Sequence, residues 1–512
     1  MRDLPKPAVP ANGHRPAAPS ETIASLLPEG CRNGATLWID GGWNMAADRA
    51  GFTSVSPRDG AHLFDLGLAG AQDVDRAVAA ARKAFPAWRD MDGAARAAIL
   101  RRVAEAVAER ADDFAVLETL DAGRAGRDTQ HSAVRAAAMF QFFAGMADKI
   151  RGKTVPVAGG RTTLVEYEPC GVIAAVTPWN YPLGNAVTKL APILACGNCV
   201  VLKPAELTPL TTLLLADLMA QAGLPAGVVN ILTGDGATGA ALAAHPGIDK
   251  VSFTGSTATG RRIAQAAAAN LKGCVLELGG KSPLIVFEDA DLDRAADAAV
   301  FTTFMNEGQT CTSCNRVLVA ASVRDRFTRL CEERLAALRI GDPMDLDTQI
   351  GAIVSPGQVA RITRLTETAT PRQIELPNFR PVEGGCYFRP MIIDITDSNA
   401  PFLRDEVFGP VMTIQDFGSD AEAYVLANQT EYGLAASVWT GSIARAETAR
   451  RVIEAGVVWI NCVNTLSYGT PVSGHKTSGM GSEYGLEAID QYMRIKTTVQ
   501  MYGAWSSPFC SN

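Results

Sequence analysis

Three polar residues have types and positions that could support chemistry. Cys311 lies in the Gly-containing stretch Asn306–Thr312, which is predicted to open a helix whose N–H groups would favour a thiolate. Glu277 ends an otherwise apolar predicted strand, where burial would raise its carboxyl pKa toward that of a general base. Asn180 follows a strand in a proline-stiffened turn, from which its amide could donate to an oxyanion. Each also has an ordinary interpretation, as a core cysteine, a strand-edge carboxylate and a turn asparagine.

Two glycine-rich loops are candidates for holding a phosphate group. Gly234–Gly239 matches the G-x-G-x-x-G fingerprint after a predicted strand, but this signal is weak in a chain with 47 glycines. The loop Phe253–Gly260 also joins a strand to a helix, and it adds the hydroxyls of Ser256 and Thr257 at the helix N-terminus, where N–H groups attract phosphate. We favour this second loop, for which the alternative is an ordinary helix cap.

Lys203 and Glu206 follow another predicted strand. At the carboxyl end of a parallel strand both side chains could face a ribose, with the glutamate accepting hydrogen bonds from its hydroxyls. The same carboxylate would repel a 2′-phosphate, which favours NAD over NADP. The alternative is a solvated pair of charges at the start of a helix.

Length and composition indicate what kind of folded chain positions these residues. The 512 residues are 47% hydrophobic, which predicts two or three folded domains. A net charge of −7 gives no indication of a nucleic-acid partner, and no apolar run reaches the roughly 18 residues of a membrane span. Residues 1–30 lack the apolar stretch of a secretory signal and are predicted to be a flexible tail.

The cysteines favour a reducing compartment. There are eleven, an odd number spread through a long chain, so a disulfide framework is not expected and a cytoplasmic location is. The pairs Cys196/Cys199 and Cys311/Cys314 have metal-like spacing, but none of the five histidines is close to either pair. We therefore expect no metal site.

Strands and helices alternate from residue 171 onward at intervals of roughly 25 residues, the pattern of doubly wound parallel sheets. The predicted strands of the first unit are Val172–Val176, Cys199–Leu202, Val228–Leu232, Val251–Phe253 and Val275–Leu278. Those of the second are Pro283–Phe287, Arg316–Val319, Gly409–Ile414, Ala436–Trp439 and Val457–Ile460.

Two further strands are predicted outside both units. Thr162–Tyr167 and the segment Tyr492–Met501 alternate in polarity and suit an arm used in assembly. The Thr-, Pro- and Glu-rich segment Arg361–Gly384 is predicted to be a surface loop.

Six short segments occur in the order and at the spacing of the aldehyde dehydrogenase superfamily. The first five contain residues discussed above, and the sixth is a further segment: Thr177-Pro-Trp-Asn-Tyr-Pro, Lys203-Pro-Ala-Glu, Phe253-Thr-Gly-Ser-Thr, Glu277-Leu-Gly-Gly-Lys-Ser, Gly308-Gln-Thr-Cys and Glu406-Val-Phe-Gly-Pro. The sequence therefore resembles this superfamily from about residue 35 to about residue 500. The resemblance implies an α/β fold of two doubly wound parallel-sheet domains plus a small β oligomerisation arm, and a homodimer or homotetramer.

The resemblance also implies domain boundaries. Residues 31–150 and 171–278 would form the NAD-binding domain, and residues 279–485 the catalytic domain. Residues 151–170 and 486–505 would supply the oligomerisation strands.

By the same resemblance, Cys311 is the nucleophile and Glu277 the base that activates water. The Asn180 side chain and the Cys311 backbone N–H would form the oxyanion hole. Lys189 and Glu483 match positions associated with proton passage.

The implied cofactor is NAD, with NADP disfavoured. Its cleft would be lined by Thr177 and Trp179, its adenosine ribose held by Lys203 and Glu206, its pyrophosphate by Gly255, Ser256 and Gly260, and its nicotinamide end by Glu406 and Phe408. The literal fingerprint at Gly234 would then lie near the adenine end.

The implied substrate pocket contains Tyr181, Thr188, Thr310, Thr312, Leu466 and Val472. Thr188, Leu466 and Val472 stand where many relatives have aromatic residues, so we expect a wider tunnel and a medium or bulky, apolar or aromatic aldehyde. No extra Arg or Lys marks these segments, which disfavours a semialdehyde carrying a carboxylate.

Two other functions compete with hydrolytic oxidation. In a CoA-acylating enzyme, CoA would take the acyl group instead of water, but such relatives generally lack the Glu277 base. A non-catalytic scaffold with the same fold is the more remote alternative.

Overall fold

Parallel sheets organise the part of the chain that this computed structural model describes, namely residues 19–395, 401–507 and 509. The first sheet has the strand order Gly42–Asn44, Leu37–Ile39, Val229–Ile231, Cys199–Lys203, Val172–Val176, Lys250–Thr254, Gly273–Glu277 and Gly479–Met480. Its inner strands run parallel and its outermost pairs antiparallel. Val172–Val176 and Cys199–Lys203 are buried along their whole length, as expected of strands covered on both faces.

Helices cover this sheet and connect its strands. They are Ala71–Asp90, Gly93–Glu109, Ala111–Ala122, Gly126–Thr129, Ser132–Ala144, Pro182–Ala195, Leu210–Gln221, Gly236–Ala244 and Thr257–Ala268. A hairpin, Gly51–Val55 with His62–Gly67, packs beside them.

The second sheet is parallel between all neighbours. Its order is Met391–Asp394, Val411–Phe417, Arg316–Ala320, Pro283–Val286, Ala435–Trp439 and Val457–Ile460. Its helices are Leu292–Phe304, Arg324–Ala337, Pro356–Thr366, Pro401–Arg404, Asp420–Asn428 and Ile443–Val452. The predicted pair of doubly wound parallel sheets is confirmed.

A separate small sheet has the order Met493–Met501, Arg161–Pro169 and Lys153–Val155. The predicted pairing of its long strands is confirmed, with Thr497 opposite Val165, whereas Lys153–Val155 was not predicted. The short helix Glu487–Gln491 precedes the C-terminal strand. The assembly role of this arm and the predicted domain boundaries stay predictions.

Two predicted irregular segments contain helices. Of the predicted tail, residues 1–18 lie outside the described residues, while Pro19–Leu26 is a helix. Ile23 and Leu27 are buried in the core, so this part of the tail is packed because its apolar side chains find a partner surface. The predicted loop Arg361–Gly384 is likewise wrong at its start, because helix Pro356–Thr366 extends into it, with the Ser355 hydroxyl capping its first turn.

Helix length and apolar character determine whether a helix could cross a membrane. No helix in the described ranges is both long enough and apolar enough to span a bilayer.

One of the eleven cysteines, Cys510, lies outside the described residues.

A buried carboxyl joins three elements of the first domain. Asp121 is fully buried and accepts hydrogen bonds from the Ser54 hydroxyl (2.8 Å) and from the backbone N–H of Leu210 (2.9 Å), the first residue of a helix. Desolvation raises the pKa of Asp121 to about 7 despite these donors. Because the folded state holds this proton more tightly than the unfolded state, the associated stability is lost as pH rises toward 7.

We therefore expect Asp121→Asn to gain stability relative to the parent protein between pH 5 and pH 8, by about 3 kcal/mol. Free energies of unfolding in urea across this range would measure the difference. The exposed Asp90→Asn is the control, since an Arg89 partner lowers the pKa of Asp90 and removes its titration from this window. Parallel pH profiles for the parent and Asp121→Asn would contradict the prediction.

Candidate active site

Cys311 lies in a turn between a short 3-10 segment, Met305–Gly308, and strand Arg316–Ala320. The predicted helix start at Cys311 is therefore wrong. The physical reason is the backbone of Asn306, Glu307 and Gly308, whose φ values of 51°, 57° and 71° are left-handed and end the preceding helix. No helix N-terminus favours the thiolate; instead, burial and the nearby Glu406, Glu277 and Glu483 raise the pKa of Cys311 to about 12.

Glu277 is buried at the end of strand Gly273–Glu277, as predicted. Its Oε1 atom is buried without a hydrogen-bond partner. Desolvation and the nearby Glu483 raise its pKa well above the ordinary value, and Lys189 opposes this effect. A carboxyl with a raised pKa takes up a proton more readily than an ordinary glutamate, which is the property that a general base requires.

Lys189 and Glu483 form a buried ion pair, with 2.6 Å between Nζ and Oε1. Lys189 also donates to the Ser252 hydroxyl at 3.1 Å. Glu483 is held by backbone hydrogen bonds to Val472 at 2.8 and 2.9 Å. The structure thus brings both predicted proton-passage residues into the surroundings of Glu277.

The Asn180 amide is held beside the nucleophile turn. Its Nδ2 donates to the carbonyl of Gln309 at 2.9 Å, and its Oδ1 accepts from Asn185 Nδ2 at 3.2 Å. Asn306 Nδ2 donates to the backbone carbonyl of Asn180 at 3.0 Å. Since an amide nitrogen has two hydrogens, one stays available for an oxyanion.

Lys203 and Glu206, which were predicted to bind a ribose, are in contact with each other. Lys203 Nζ lies 3.3 Å from Glu206 Oε2, and it donates to the carbonyls of Pro204 (2.8 Å) and Gly234 (2.7 Å). The Lys203 ammonium is almost buried, and this burial lowers its pKa. The Glu206 carboxylate is about half exposed, so it is accessible to a ligand.

The rival glycine-rich loops differ in what occupies the helix N-terminus. In the literal fingerprint, the Asp235 carboxylate accepts from the N–H groups of Ala237 (2.9 Å) and Thr238 (3.2 Å). This negative group stands where a phosphate would bind. In the other loop the neutral Ser256 hydroxyl caps the helix through Thr259 N–H, which leaves that terminus compatible with phosphate.

The loop with Ser256 also adjoins Glu277. Gly255 N–H donates to the carbonyl of Glu277 at 3.0 Å, and Gly260 lies in the first turns of helix Thr257–Ala268. Thr177, at the end of a neighbouring strand, is buried with no partner for its hydroxyl. These residues form a continuous edge along the carboxyl ends of the parallel strands.

Glu406 and Phe408 face this edge from the second domain. Glu406 Oε1 accepts from Gly280 N–H at 2.9 Å, and burial raises its pKa to about 7. A Cβ on Gly279 would lie 2.6 Å from Glu406 Oε2, so only glycine allows this approach. The Phe408 ring packs edge-on against Trp179, with 5.2 Å between ring centroids.

Helix Pro356–Thr366 holds the loop that carries these residues. Arg361 donates to the carbonyls of Glu406 (2.6 Å) and Val407 (2.7 Å), and Gln358 donates to that of Phe408 (2.8 Å). Neither residue was predicted: Arg361 begins the predicted loop Arg361–Gly384, and Gln358 lies before it in a stretch for which no element was predicted.

The predicted pocket residues fall into two groups. Several are paired by side-chain hydrogen bonds: Tyr181 with Thr310 (2.6 Å), Thr188 with Tyr484 (3.4 Å) and Thr312 with Asn464 (3.3 Å). Val472 is buried beside Glu483, whereas Leu466 is 38% exposed. Asn185, Tyr484 and Asn464 were missed, although Asn185 lies one helical turn from Tyr181 and could have been found by helical spacing.

The chain is similar to one family model and to several solved structures. The model described as the aldehyde dehydrogenase family matches residues 43–498. PnpE of Pseudomonas sp. WBC-3 is 39% identical with a TM-score of 0.88, over 93% of this chain and 99% of PnpE. The aldehyde dehydrogenase KauB of Pseudomonas aeruginosa is 36% identical with a TM-score of 0.87, over 91% of this chain and 96% of KauB.

A third similar structure is a mutant of AldA, the indole-3-acetaldehyde dehydrogenase of P. syringae, in complex with NAD⁺ and IAA. It is 36% identical with a TM-score of 0.88, over 94% of this chain and 99% of AldA. PnpE has also been solved in complex with nicotinamide adenine dinucleotide. With a family model that matches most of its length and relatives this similar over nearly their whole chains, this chain belongs to the aldehyde dehydrogenase family.

Proposed function

We propose that this protein oxidises a medium or bulky, apolar or aromatic aldehyde to the carboxylic acid with NAD, through a thiohemiacetal and a thioester on Cys311. One observation carries the proposal. Glu277 keeps an unpartnered, buried carboxylate oxygen in the same site as Cys311, while Asn180 is hydrogen-bonded to the nucleophile turn. A base, a nucleophile and an oxyanion donor are the parts that acyl-enzyme formation and hydrolysis require.

The first stage uses the thiol and the amide. The Cys311 thiol, whose pKa is raised, releases its proton to solvent as its sulfur attacks the carbonyl carbon, which forms a C–S bond and places negative charge on the oxygen. The Asn180 amide and the Cys311 backbone N–H donate to that oxygen, and one such donor lowers a barrier by about 3 kcal/mol. When bound, NAD supplies the acceptor for the hydride that leaves the thiohemiacetal.

The second stage uses the carboxylate. Glu277 takes a proton from the water that attacks the thioester, the C–S bond breaks, and the product leaves as the acid. Because the pKa of Glu277 is raised, its carboxylate is a stronger base toward this water than an ordinary glutamate. Lys189 and Glu483 are the nearby groups that can pass the proton onward.

The residues present fit NAD. The exposed carboxylate of Glu206 beside Lys203 suits a ribose with free hydroxyls and disfavours a 2′-phosphate. The unpartnered hydroxyl of Thr177 and the ring pair Trp179–Phe408 suit the cleft and the nicotinamide end. The solved NAD complexes of PnpE and AldA support the same cofactor.

The substrate class is inferred from the pocket side chains. Thr188 and Val472 are smaller than aromatic residues, and Thr188 donates to the hydroxyl of Tyr484. Together with the ring of Tyr181, which also belongs to the predicted pocket, they suit a bulky flat or apolar group. AldA, named for an aromatic aldehyde, supports this class. The Arg124 guanidinium behind Tyr181 is paired with Glu118, so it does not favour a substrate carboxylate.

We also propose assembly through the small sheet. Met493–Met501 is an edge strand whose Ile495 and Val499 are 67% and 58% exposed, and such an edge invites pairing with a second copy. A homodimer or homotetramer is therefore expected. The described cysteines are all free thiols, which supports a reducing, cytoplasmic location.

Replacing the nucleophile tests the core of the proposal. The parent protein should form NADH with a panel of aldehydes, with the highest kcat/KM for aromatic or bulky members and the lowest for acetaldehyde. Cys311→Ala should abolish NADH formation, whereas Cys314→Ala, in the same segment but in the core, should keep activity. Turnover in Cys311→Ala, or none in the parent protein with any aldehyde, would overturn the mechanism.

Replacing the base separates hydrolysis from hydride transfer. Glu277→Gln should give a single-turnover burst of NADH in stopped flow, followed by a steady state about 10²- to 10⁴-fold slower than the parent. In the parent protein, the deacylation rate should rise with pH as Glu277 loses its proton. Formation of acyl-CoA by the parent and by Glu277→Gln at equal rates would favour the CoA-acylating alternative instead.

We expect the Glu206 carboxylate, beside the proposed ribose site, to determine the preference for NAD over NADP. Glu206→Gln removes a negative charge that opposes a 2′-phosphate, so the ratio of kcat/KM for NADP over NAD should rise about tenfold. Steady-state kinetics with both cofactors measure this ratio, and the exposed Glu109→Gln is the control. An unchanged ratio in Glu206→Gln would mean that another group selects the cofactor.

A further inference from the structure

Arg124 is a buried cation close to the reacting centre that none of the steps above uses. It follows helix Ala111–Ala122 of the first domain and is 4% exposed. Its Nη1 pairs with the buried Glu118. Its Nε donates to Asn306 Oδ1 at 2.5 Å, across the boundary to the second domain.

The Asn306 side chain links Arg124 to Asn180, the proposed oxyanion donor. Because its Oδ1 accepts from Arg124, its Nδ2 faces the other way and donates to the carbonyls of Asn180 (3.0 Å) and Gln309 (3.2 Å). Gln309 also accepts from the Asn180 side chain. The guanidinium therefore fixes which way the Asn306 amide points, and that amide joins Asn180 to the turn that carries Cys311.

The face of the same guanidinium covers the substrate pocket residue Tyr181. The Arg124 Cζ atom lies 4.4 Å from the centre of the Tyr181 ring. The Tyr181 hydroxyl is 2.6 Å from Thr310 Oγ1, and Thr310 directly precedes Cys311. Arg124 thus contacts the pocket wall with its face and the nucleophile turn with its edge.

We infer that Arg124 is a positioning residue that sets the Asn180 amide, the Cys311 turn and the Tyr181 ring in one arrangement. The inference rests on the proposed roles of Cys311 and Asn180. A planar guanidinium can donate along its edge while stacking on a ring, and a lysine ammonium cannot do both. Since Glu118 neutralises its charge, Arg124 acts by shape and hydrogen bonding, not by attracting a charged substrate.

Arg124→Lys is the central test, because it keeps a cation beside Glu118 and removes the planar fork. We expect kcat/KM for the aldehyde to fall about 10- to 100-fold, the scale of a small misplacement in a reacting centre, with the Kd of NAD changed less than twofold. Arg96→Lys is the matched control. Arg96 is a buried arginine of the same domain that donates to the carbonyls of Met91 and Ala195, away from the site.

Thermal unfolding of both variants separates positioning from general stability. Equal losses of Tm with a kinetic defect only in Arg124→Lys support the inference. Equal kinetics in Arg124→Lys and Arg96→Lys overturn it. Should Arg124→Lys be poorly folded, the double variant Arg124→Met/Glu118→Met removes both charges and leaves no unpaired buried ion; it should show the same kinetic defect, and parent-like kinetics would overturn the inference.

A double-mutant cycle identifies the route of action. Asn306→Gly removes the side chain and tolerates the left-handed backbone at this position. If Arg124 acts through Asn306, Arg124→Lys adds no further loss of kcat in the Asn306→Gly background. Additive losses overturn this route. A parent protein that forms no NADH would refute the proposed function itself, whereas an active parent with parent-like Arg124→Lys kinetics refutes only the present inference.

Discussion

The left-handed turn Asn306–Gly308 is the constraint on which the rest of the site depends. It ends helix Leu292–Phe304 and redirects the chain so that the Gln309 carbonyl meets the Asn180 side chain. A Cβ on Gly308 would collide with the Gly409 carbonyl, so the same turn abuts the loop that carries Glu406 and Phe408. One local conformation therefore aligns Cys311, the proposed nucleophile, with groups that belong to both sheets. Asparagine and glycine tolerate this backbone well; glutamate does so at a cost that the surrounding packing must offset.

Around that turn, several acidic side chains are largely removed from water. The pKa of Glu406 is raised to about 7 and that of Glu307 to about 8, mainly by desolvation. Backbone donors, among them Gly280 for Glu406 and Gly351 for Glu307, replace part of the lost hydration. Such groups cost stability when charged, so these carboxyls hold a proton more readily than exposed ones.

The sheets were predictable because parallel strands covered on both faces are continuous apolar runs. Val172–Val176 was predicted with the bounds that the structure has. The identities of Cys311, Glu277 and Asn180 were also available from short segments, since their spacing is local. The residues that surround them in the folded chain could not be predicted from those segments. Arg124 meets Asn306 across 182 positions, and nothing in the local pattern of either segment indicates that pairing.

The errors have a common physical origin. The stretch before Cys311 looked like a helix start because its composition is polar and contains glycine, but three left-handed residues cannot begin an α-helix. The segment from Arg361 looked like a loop because it is rich in Thr, Pro and Glu, yet Ser355 caps a helix that extends into it. In both places the deciding feature is backbone conformation set by tertiary contacts, which composition reports poorly.

The strand that carries Glu277 has a further consequence for how the enzyme matures. Its outer neighbour in the first sheet is Gly479–Met480, with Leu276 opposite Met480 and Glu277 opposite Gly479. During synthesis, about two hundred residues must emerge after Glu277 before its strand gains that neighbour, and Glu483 follows only then. A partly synthesised chain can pair the strand of Glu277 with Lys250–Thr254 on its inner side, but the outer side still lacks its neighbour. Glu277 therefore gains this neighbour, and with it the nearby Glu483, only after residues 479–483 have been synthesised.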